Sequence, residues 1–339
     1  METKVSNIGW SNSAISWLRQ CSRKFFFADQ LASHGRKNKL RRKVFELKQM
    51  QNMAMWQGSA VDKIMEKHVI PAIVSKASLD FTHFADLAVE LAKKRFQFSK
   101  EKLYLNEDLT KGEAGDDFCI LDTHEINTPW KPNKVDEAYS NIRRAILNVP
   151  LTLMPDNKTL LLDYLSKAKS LLPNVQRWIA KVENTNVNPQ IDLIVYDENW
   201  KPATIDWKVS ESWVSDYAKQ LIIIGLVIYL KRLEKVDKTP YEYEEIKLFE
   251  VNLLKAQVKQ HHFTEEIAGD MIDFINLTSS DIKLIQEDIK ARNLTIQDFD
   301  TTDNQSTCNF CNFKSICSFL IRNNFNYDEN TYFKSLSSK

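Results

Sequence analysis

From residue 178 onward, three short runs of the chain alternate apolar and polar residues, and this period of two predicts β-strands. The runs are WIAKVEN at 178–184, QIDLIVY at 190–196 and PATIDWKV at 202–209, with short polar turns between them. A strongly apolar helix is predicted over 214–234, and EIKLFEVNLL at 245–254 is typical of a fourth strand. This order of elements predicts an α/β fold.

The rest of the chain has mainly helical spacing. Apolar residues recur at i, i+3, i+4 and i+7 over 55–70, and helices are also predicted over 11–33 and 264–293. Residues 79–180 look mainly helical, with breaks near 106–117, 127–134 and 150–157. We predict four regions: N-terminal helices (1–78), a helical insertion (79–177), a strand-rich core (178–260), and a C-terminal helix with a cysteine-containing segment (261–339).

The composition is that of a globular chain. Hydrophobic residues make up 43% of the 339 residues, and 7 Gly and 9 Pro leave little room for long linkers. The N-terminal segment lacks the pattern of a secretory signal, so an intracellular location is expected. The longest apolar run, LIIIGLVIYL at 221–230, is too short to span a bilayer, so we predict a buried helix and no membrane segment.

The net charge of +1 neither favours nor disfavours a polyanionic partner such as a nucleic acid. The local charge of one basic segment is more informative. The stretch HGRKNKLRRK at 34–43 contains no acidic residue. It is either a solvated helix face or loop, or a patch that contacts the phosphates of a nucleic acid. The candidate nucleic-acid-binding residues are Arg36, Lys37, Lys39, Arg41, Arg42 and Lys43.

Three of the five cysteines form a C-x2-C-x5-C cluster, CNFCNFKSIC, made of Cys308, Cys311 and Cys317. A C-x2-C turn can direct two thiolates at one metal centre, and structural zinc and [4Fe–4S] sites both commonly take four ligands. The fourth ligand would be Cys21 or Cys119, and Cys119 is more typical of an ordinary buried thiol. A disulfide framework is disfavoured for an intracellular chain.

Acidic residues interrupt the two central strands. Asp206 and Lys208 are two positions apart, so they share a face of their strand at a separation of about 6.6–7 Å, and Asp192 on the neighbouring strand can lie across from them. Two carboxylates and an ammonium group suit a hard divalent cation and the hydrolysis of a phosphodiester. The alternative is a solvated face or a surface ion pair.

This arrangement resembles the PD-(D/E)xK nuclease superfamily, which implies a restriction-endonuclease-like αβββαβ core with a mixed central sheet flanked by helices. PQID and IDWK match its motif, so the resemblance implies that Asp192 and Asp206 bind Mg²⁺ or Mn²⁺ and that Lys208 assists the attacking water. One cysteine before the core and three after it resemble, more specifically, the RecB-like nucleases with a [4Fe–4S] cluster, the AddB, Cas4 and Dna2 type. This implies the cluster ligands Cys21, Cys308, Cys311 and Cys317.

The sequence departs from that family at two motifs. The family motif G-x-x-x-H corresponds here to GSAVD, so Asp62 stands at the position of a histidine metal ligand and is either a metal ligand or a structural acid on an exposed helix face, while His68 points to another side of the helix. The family motif Q-x-x-x-Y retains Gln220 and has Ile224 in place of the tyrosine; Gln220 is predicted to act in the site, and the alternative is that it satisfies a buried carbonyl. Glu183 is a further possible acid, or an ordinary charge at a strand end.

The expected function is a Mg²⁺- or Mn²⁺-dependent deoxyribonuclease with a structural iron–sulfur cluster. We expect exonuclease-like cleavage of single-stranded or end-exposed DNA in repair, recombination or defence, with a helicase or another protein of these pathways as a candidate partner. A second hypothesis is an inactive nuclease-like module that keeps the cluster and binds DNA or a protein. A third hypothesis is a zinc site on an unrelated enzyme, which predicts a colourless protein.

Overall fold

The computed structural model describes residues 8–32, 38–210 and 217–337. The chain forms two compact units, each built from separate stretches. The first unit comprises Met1–Trp10, Met53–Lys93 and Lys131–Ser279, and the second comprises Ser11–Asn52, Lys94–Trp130 and Ser280–Lys339. The units cut across the boundaries at residues 78, 177 and 260, and that four-part division stays a prediction.

All strands of the described residues belong to the first unit. They are β1 Ile8–Trp10, β2 Ser170–Val175, β3 Ala180–Val182, β4 Thr185–Val187, β5 Ile191–Tyr196, β6 Pro202–Lys208, β7 Lys247–Asn252 and β8 Gln257–His261. Five of them form one sheet in the order β2-β5-β6-β7-β8, and the other three form a small sheet in the order β1-β4-β3. In the larger sheet β6 and β7 are parallel, while the other neighbours are antiparallel.

The helices begin and end as follows. The α-helices are α1 Asn12–Gln20, α2 Ser22–Phe25, α3 Lys39–Gln49, α4 Met53–Ile64, α5 Ile70–Ser75, α6 Phe81–Lys100, α7 Lys111–Ala114, α8 Asp122–Glu125, α9 Pro132–Leu147, α10 Leu161–Lys167, α11 Tyr217–Leu233, α12 Glu265–Arg292, α13 Gln305–Asn309, α14 Lys314–Arg322 and α15 Glu329–Ser337. Two π-helical segments, Phe26–Leu31 and Met65–Val69, continue α2 and α4. Single 3₁₀ turns occur at Leu103–Leu105, Gly115–Asp117, Val149–Leu151, Tyr243–Glu245 and Ile296–Asp298.

The predicted fold class is confirmed. The order α4, β2, β5, β6, α11, β7 is the αβββαβ sequence of a restriction-endonuclease-like core, with a mixed sheet and helices packed against it. The helix α11 forms the crossover between the parallel strands β6 and β7 and packs against both of them. The helix α4 packs against β6.

The first strand of the core is not the one predicted. Residues 178–184 contain only the short strand β3, which pairs with β4 in the small sheet, whereas β2 at Ser170–Val175 pairs with β5. The strand β2 could not be predicted from alternation of apolar and polar residues, because all of its residues are half-buried and because it contains Pro173. Proline lacks the N–H that a central strand needs, but β2 lies at an edge of the sheet, where proline is tolerated.

The apolar run at 221–230 lies within α11 and is largely buried, as predicted. Gly225 allows a close approach in this helix, because a Cβ atom there would lie 3.0 Å from Leu248 of β7 and 3.3 Å from Phe263. The predicted start of this helix at 214–216 lies outside the described residues. None of the helices in the described ranges combines the length and apolar character needed to cross a membrane.

The second unit has its own core of aromatic and aliphatic side chains. The predicted helix at 11–33 is interrupted at Cys21, whose backbone is extended, and the chain continues as α2 and a π-helical segment. The buried cluster that follows is Phe26, Phe27, Ala28, Val44, Leu47, Met50, Phe98, Tyr104, Ile120, Ile296, Phe299, Phe313, Ile316, Phe319, Leu320 and Tyr332. The cysteine-containing segment therefore packs with residues from both ends of the chain.

Candidate active site

Two carboxylates meet on the β5–β6 hairpin of the first unit. The register pairs Leu193 with Ile205, and continuing it by one residue brings Asp192 opposite Asp206. The Asp192 Oδ2 atom accepts a hydrogen bond of 3.1 Å from the backbone N–H of Trp207. Asp206 is 4% exposed. The predicted juxtaposition of the two acids is thus present in the structure.

Lys208 and Gln220 both contact the carboxylate of Asp206. The Lys208 ammonium group forms an ion pair with Asp206 Oδ2. From the first turn of α11, Gln220 Nε2 donates a hydrogen bond of 3.3 Å to Asp206 Oδ1. Ile224, one turn further along α11, is buried at 1% exposure. Gln220 therefore acts on the acid, not on a backbone carbonyl.

Burial and mutual repulsion raise the pKa values of both acids. Burial is the main cause that raises the pKa of Asp192 to about 7, and the negative charge of Asp206 raises it further, against the Trp207 hydrogen bond and the Lys208 charge. Burial also raises the pKa of Asp206, against the attraction of Lys208. Such paired and buried acids are typical of functional sites, because a bound cation offsets the repulsion.

Sequence reasoning missed two members of this environment, Glu250 and His261. Glu250 lies on β7 directly beside Asp206 in the parallel register, and its Oε2 atom is 2.9 Å from Nε2 of His261 on β8. The charge of Glu250 raises the pKa of Asp206, and that of His261 lowers it. The sequence does contain a sign of this acid. Glu250 and Asn252, two positions apart, place polar side chains on one face of a strand that is otherwise mostly apolar.

The other residues considered from the sequence, Asp62, His68 and Glu183, lie on other segments of the first unit. Asp62 is half-buried on α4, the helix that packs against β6. His68 lies on the π-helical continuation of α4, with its ring centroid 6.5 Å from that of Phe84, as expected for another side of the helix. Glu183 is exposed in the turn between β3 and β4 and accepts a hydrogen bond of 2.9 Å from Asn276. Glu183 is therefore an ordinary charge at a strand end.

The carboxylates suit a hard cation in their chemistry, although no closed coordination shell is formed. Across the described ranges 8–32, 38–210 and 217–337, no three His, Cys, Asp or Glu side chains are arranged to hold a metal ion. The predicted ligand set Asp62, Asp192 and Asp206 is thus not assembled. At Asp206 the Lys208 ammonium group forms an ion pair, and its charge opposes the repulsion between the two acids.

A sequence profile of the PD-(D/E)XK nuclease superfamily matches residues 9–318, which is nearly the whole chain. The chain belongs to the PD-(D/E)XK nuclease superfamily. A search of curated proteins found no match. Membership supports a nuclease function for the site on β5 and β6, since the hairpin carries the acid and acid-x-lysine pattern for which the superfamily is named. The RecB-like subgroup stays a prediction.

The cysteines of the chain are all free thiols of the second unit, and Cys21, Cys308, Cys311 and Cys317 interact electrostatically, although no three of them are arranged to hold a metal ion in the part of the chain that the structure describes. Burial raises the pKa of Cys311 and of Cys317, and Cys21 raises both further. Cys308 adds to the shift at Cys317, whose Sγ atom is 4.0 Å from Arg23 Nη1. Cys119 is buried with its Sγ 3.7 Å from Gln51 Oε1, in keeping with an ordinary thiol.

Of the basic segment at 34–43, the described residues 38–43 are only partly exposed. Lys43 is 3% exposed, and its ammonium group pairs with Glu46 at 3.1 Å and with Glu125. The prediction that Lys43 binds nucleic acid is therefore corrected, because a cation buried between two carboxylates cannot reach a phosphate. Arg36 and Lys37 lie outside the described residues.

The other basic side chains of the segment also have partners in the second unit. Arg42 donates to the backbone carbonyls of Tyr104 and Asn106 at 3.1 and 2.7 Å, so its guanidinium group stabilises the local fold. Arg41 donates to the carbonyl of Gln30 at 3.4 Å, and Lys39 forms an exposed ion pair of 2.7 Å with Glu329. A nucleic-acid contact by these three side chains stays a prediction.

Proposed function

We propose that this protein is a Mg²⁺- or Mn²⁺-dependent DNA nuclease. The observation that carries the proposal is the group on the β5–β6 hairpin, where Asp192 lies opposite Asp206 and the ammonium group of Lys208 pairs with Asp206. Asp192 and Asp206 would hold the cation, and Asp62 on the helix packed against β6 is the proposed third ligand. When bound, the cation neutralises charge on the phosphate and makes a water molecule more acidic.

The protein side chains have separate tasks in hydrolysis. The oxygen of a water molecule forms a new bond to phosphorus, the bridging P–O bond breaks, and the departing oxygen takes up a proton. The Lys208 ammonium group donates hydrogen bonds that orient the water and stabilise negative charge developing on the phosphate. Gln220 and the Trp207 N–H each hold one carboxylate in a fixed orientation, through their bonds to Asp206 and Asp192.

A cleavage assay with end-labelled DNA tests the proposal. Wild-type protein in Mg²⁺ should cut DNA, EDTA should stop the reaction, and Asp206→Ala or Lys208→Ala should abolish it. Glu183→Gln is the matched control, because it removes a carboxylate from an exposed turn of the same unit and should leave the rate unchanged. Cleavage that survives both the Asp206 and Lys208 changes would reject the proposal.

The four neighbouring cysteines support a second part of the proposal, a structural [4Fe–4S] cluster held by Cys21, Cys308, Cys311 and Cys317. The donor chemistry suits such a cluster because thiolates are its usual ligands and these four thiols interact electrostatically, although no three of them are arranged as a metal site within the described residues. The anaerobically purified protein should then be brown, and Cys308→Ser should lose the colour while Cys119→Ser keeps it. A colourless protein with one bound zinc would favour the zinc hypothesis.

The substrate and the pathway are also proposed. We expect single strands and free DNA ends to be cut faster than closed circular duplexes, which identifies an exonuclease-like enzyme. Action in repair, recombination or defence, with a helicase or a related protein as partner, would follow from the RecB-like resemblance. Equal rates on circular and end-labelled linear DNA would reject the preference for ends.

The absence of an assembled three-ligand group in the described residues favours one alternative, a nuclease-like module that binds DNA or a partner without cutting. Metal titration separates the two functions. A module would bind DNA with a steep dependence on salt and show neither a Mg²⁺ nor a Mn²⁺ site. A nuclease would bind Mn²⁺, and Asp206→Asn would weaken that binding.

A further inference from the structure

Glu250 continues the line of acids across a third strand. The parallel register pairs Asp206 of β6 with Glu250 of β7, and Asp192 of β5 lies opposite Asp206 on the other side. Paired residues of neighbouring strands project from the same face of a sheet, at a strand spacing of about 4.8 Å. Asp192, Asp206 and Glu250 therefore form an acidic row on one face, with Asp206 in the middle.

His261 holds Glu250 in this row. The register pairs His261 of β8 with Leu248, which shares a face of β7 with Glu250. The Nε2 atom of His261 lies 2.9 Å from Glu250 Oε2, and the side chains are 10% and 2% exposed, respectively. A buried carboxylate without a partner is costly, so the contact with the histidine stabilises Glu250 and restricts it to one orientation.

Packing alone does not explain this pair. An aliphatic residue at position 250 would fill the strand interior without setting a second carboxylate beside Asp206, and apolar replacements of buried ion pairs are often neutral or stabilising. The acid of Glu250 therefore costs stability where it stands. With a divalent cation bound at Asp206, the negative charge of Glu250 would become favourable, because it attracts the ion.

We propose that Glu250, oriented by His261, is a positioning residue that strengthens the binding of a divalent cation at Asp206. This inference rests on the proposed nuclease function. Glu250 acts through Asp206: its charge flanks Asp206 on the side away from Asp192 and offsets the positive charge of Lys208 at the same carboxylate. Loss of such an outer partner typically weakens metal binding 10–100-fold.

Direct titration with Mn²⁺, followed by the electron paramagnetic resonance signal of the free ion, tests the inference without relying on activity. Glu250→Gln should bind Mn²⁺ about tenfold more weakly than the wild type, and His261→Gln should change binding in the same direction. Glu250→Asp keeps the charge and should recover part of the affinity. The control Glu183→Gln should bind Mn²⁺ as the wild type does.

The double variant Glu250→Gln/His261→Gln should bind no more weakly than Glu250→Gln alone, because the contact by which His261 orients a carboxylate is with Glu250. If Glu250→Gln does not fold, as judged by circular dichroism, His261→Gln and the wild type provide the comparison, and equal affinities overturn the inference. Wild-type protein that binds Mn²⁺ and cuts DNA, with Glu250→Gln equal to it in affinity, overturns the inference alone. Wild-type protein that binds no Mn²⁺ overturns the proposed function as well.

Discussion

The raised pKa of Asp192 makes a quantitative prediction about stability and pH. Its carboxyl group has a pKa of about 7 in the folded protein against 3.8 as the ordinary value. Between about pH 4 and 7 the folded state therefore holds more protons than the unfolded chain, so the free energy of unfolding falls as the pH rises through this window. A carboxylate in a stabilising ion pair has the opposite effect, because its lowered pKa makes the free energy of unfolding rise with pH.

The substitution Asp192→Asn isolates this effect. Asparagine mimics the protonated acid and keeps an oxygen that can accept the Trp207 N–H bond. From pH 5.5 to pH 8 the wild type should lose about 2 kcal/mol, because the gap of roughly 1.5 pH units between 5.5 and the folded pKa corresponds to about 1.36 kcal/mol per unit. The variant should not lose this contribution, so its stability relative to the wild type should rise by about the same amount.

Urea unfolding of both proteins in EDTA, followed by circular dichroism at the two pH values, measures this difference. Comparing variant with wild type at each pH cancels the titration of the groups that do not interact with Asp192. Saturating Mg²⁺ in place of EDTA should reduce the pH dependence of the wild type between pH 5.5 and pH 8, because the cation stabilises the ionised acids. A variant-to-wild-type difference that is the same at pH 5.5 and pH 8 would refute the reasoning about Asp192.

Five further substitutions have defined outcomes. Lys43→Met should lower the free energy of unfolding by about 3–5 kcal/mol in thermal or urea unfolding, because it leaves Glu125 buried without its cation and Glu46 with Arg42 alone, whereas Lys39→Met should have little effect at its exposed ion pair. Gly225→Val should destabilise by about 1–3 kcal/mol through contact with β7, while Gly269→Ala, which meets no atom within 4 Å, should stabilise α12 by up to about 1 kcal/mol. Gln220→Leu should slow DNA cleavage about 10–100-fold at an unchanged melting temperature, because it removes the donor to Asp206; an unchanged rate would contradict this role.

The β5–β6 hairpin and its acids could be predicted because the information is local. Alternation with a period of two identifies the strands, and the spacing of Asp206 and Lys208 fixes their shared face. The partner of Asp192 also follows from one short hairpin, whose turn sets the register. Fold class and the central pair of acids therefore follow from the sequence.

Other features depend on pairings between distant segments. Glu250 reaches Asp206 only through the parallel register of β6 and β7, which the crossover helix sets and the pattern of either strand alone does not reveal. Lys43 looks like a surface residue in a basic run, but Glu125, far along the chain, makes its burial possible. The strand β2 was missed because Pro173 argues against a strand until its edge position is known.

Cleavage of end-labelled DNA in Mg²⁺ by the wild type and by Asp206→Asn, at equal concentration, tests the proposed nuclease centre most directly. Asparagine keeps the shape of the side chain but removes the charge that pairs with Lys208 and would bind the cation. The wild type should cut DNA, and the variant should be slower by at least about a hundredfold. Equal cleavage by the two proteins would contradict the assignment of the centre to β5 and β6.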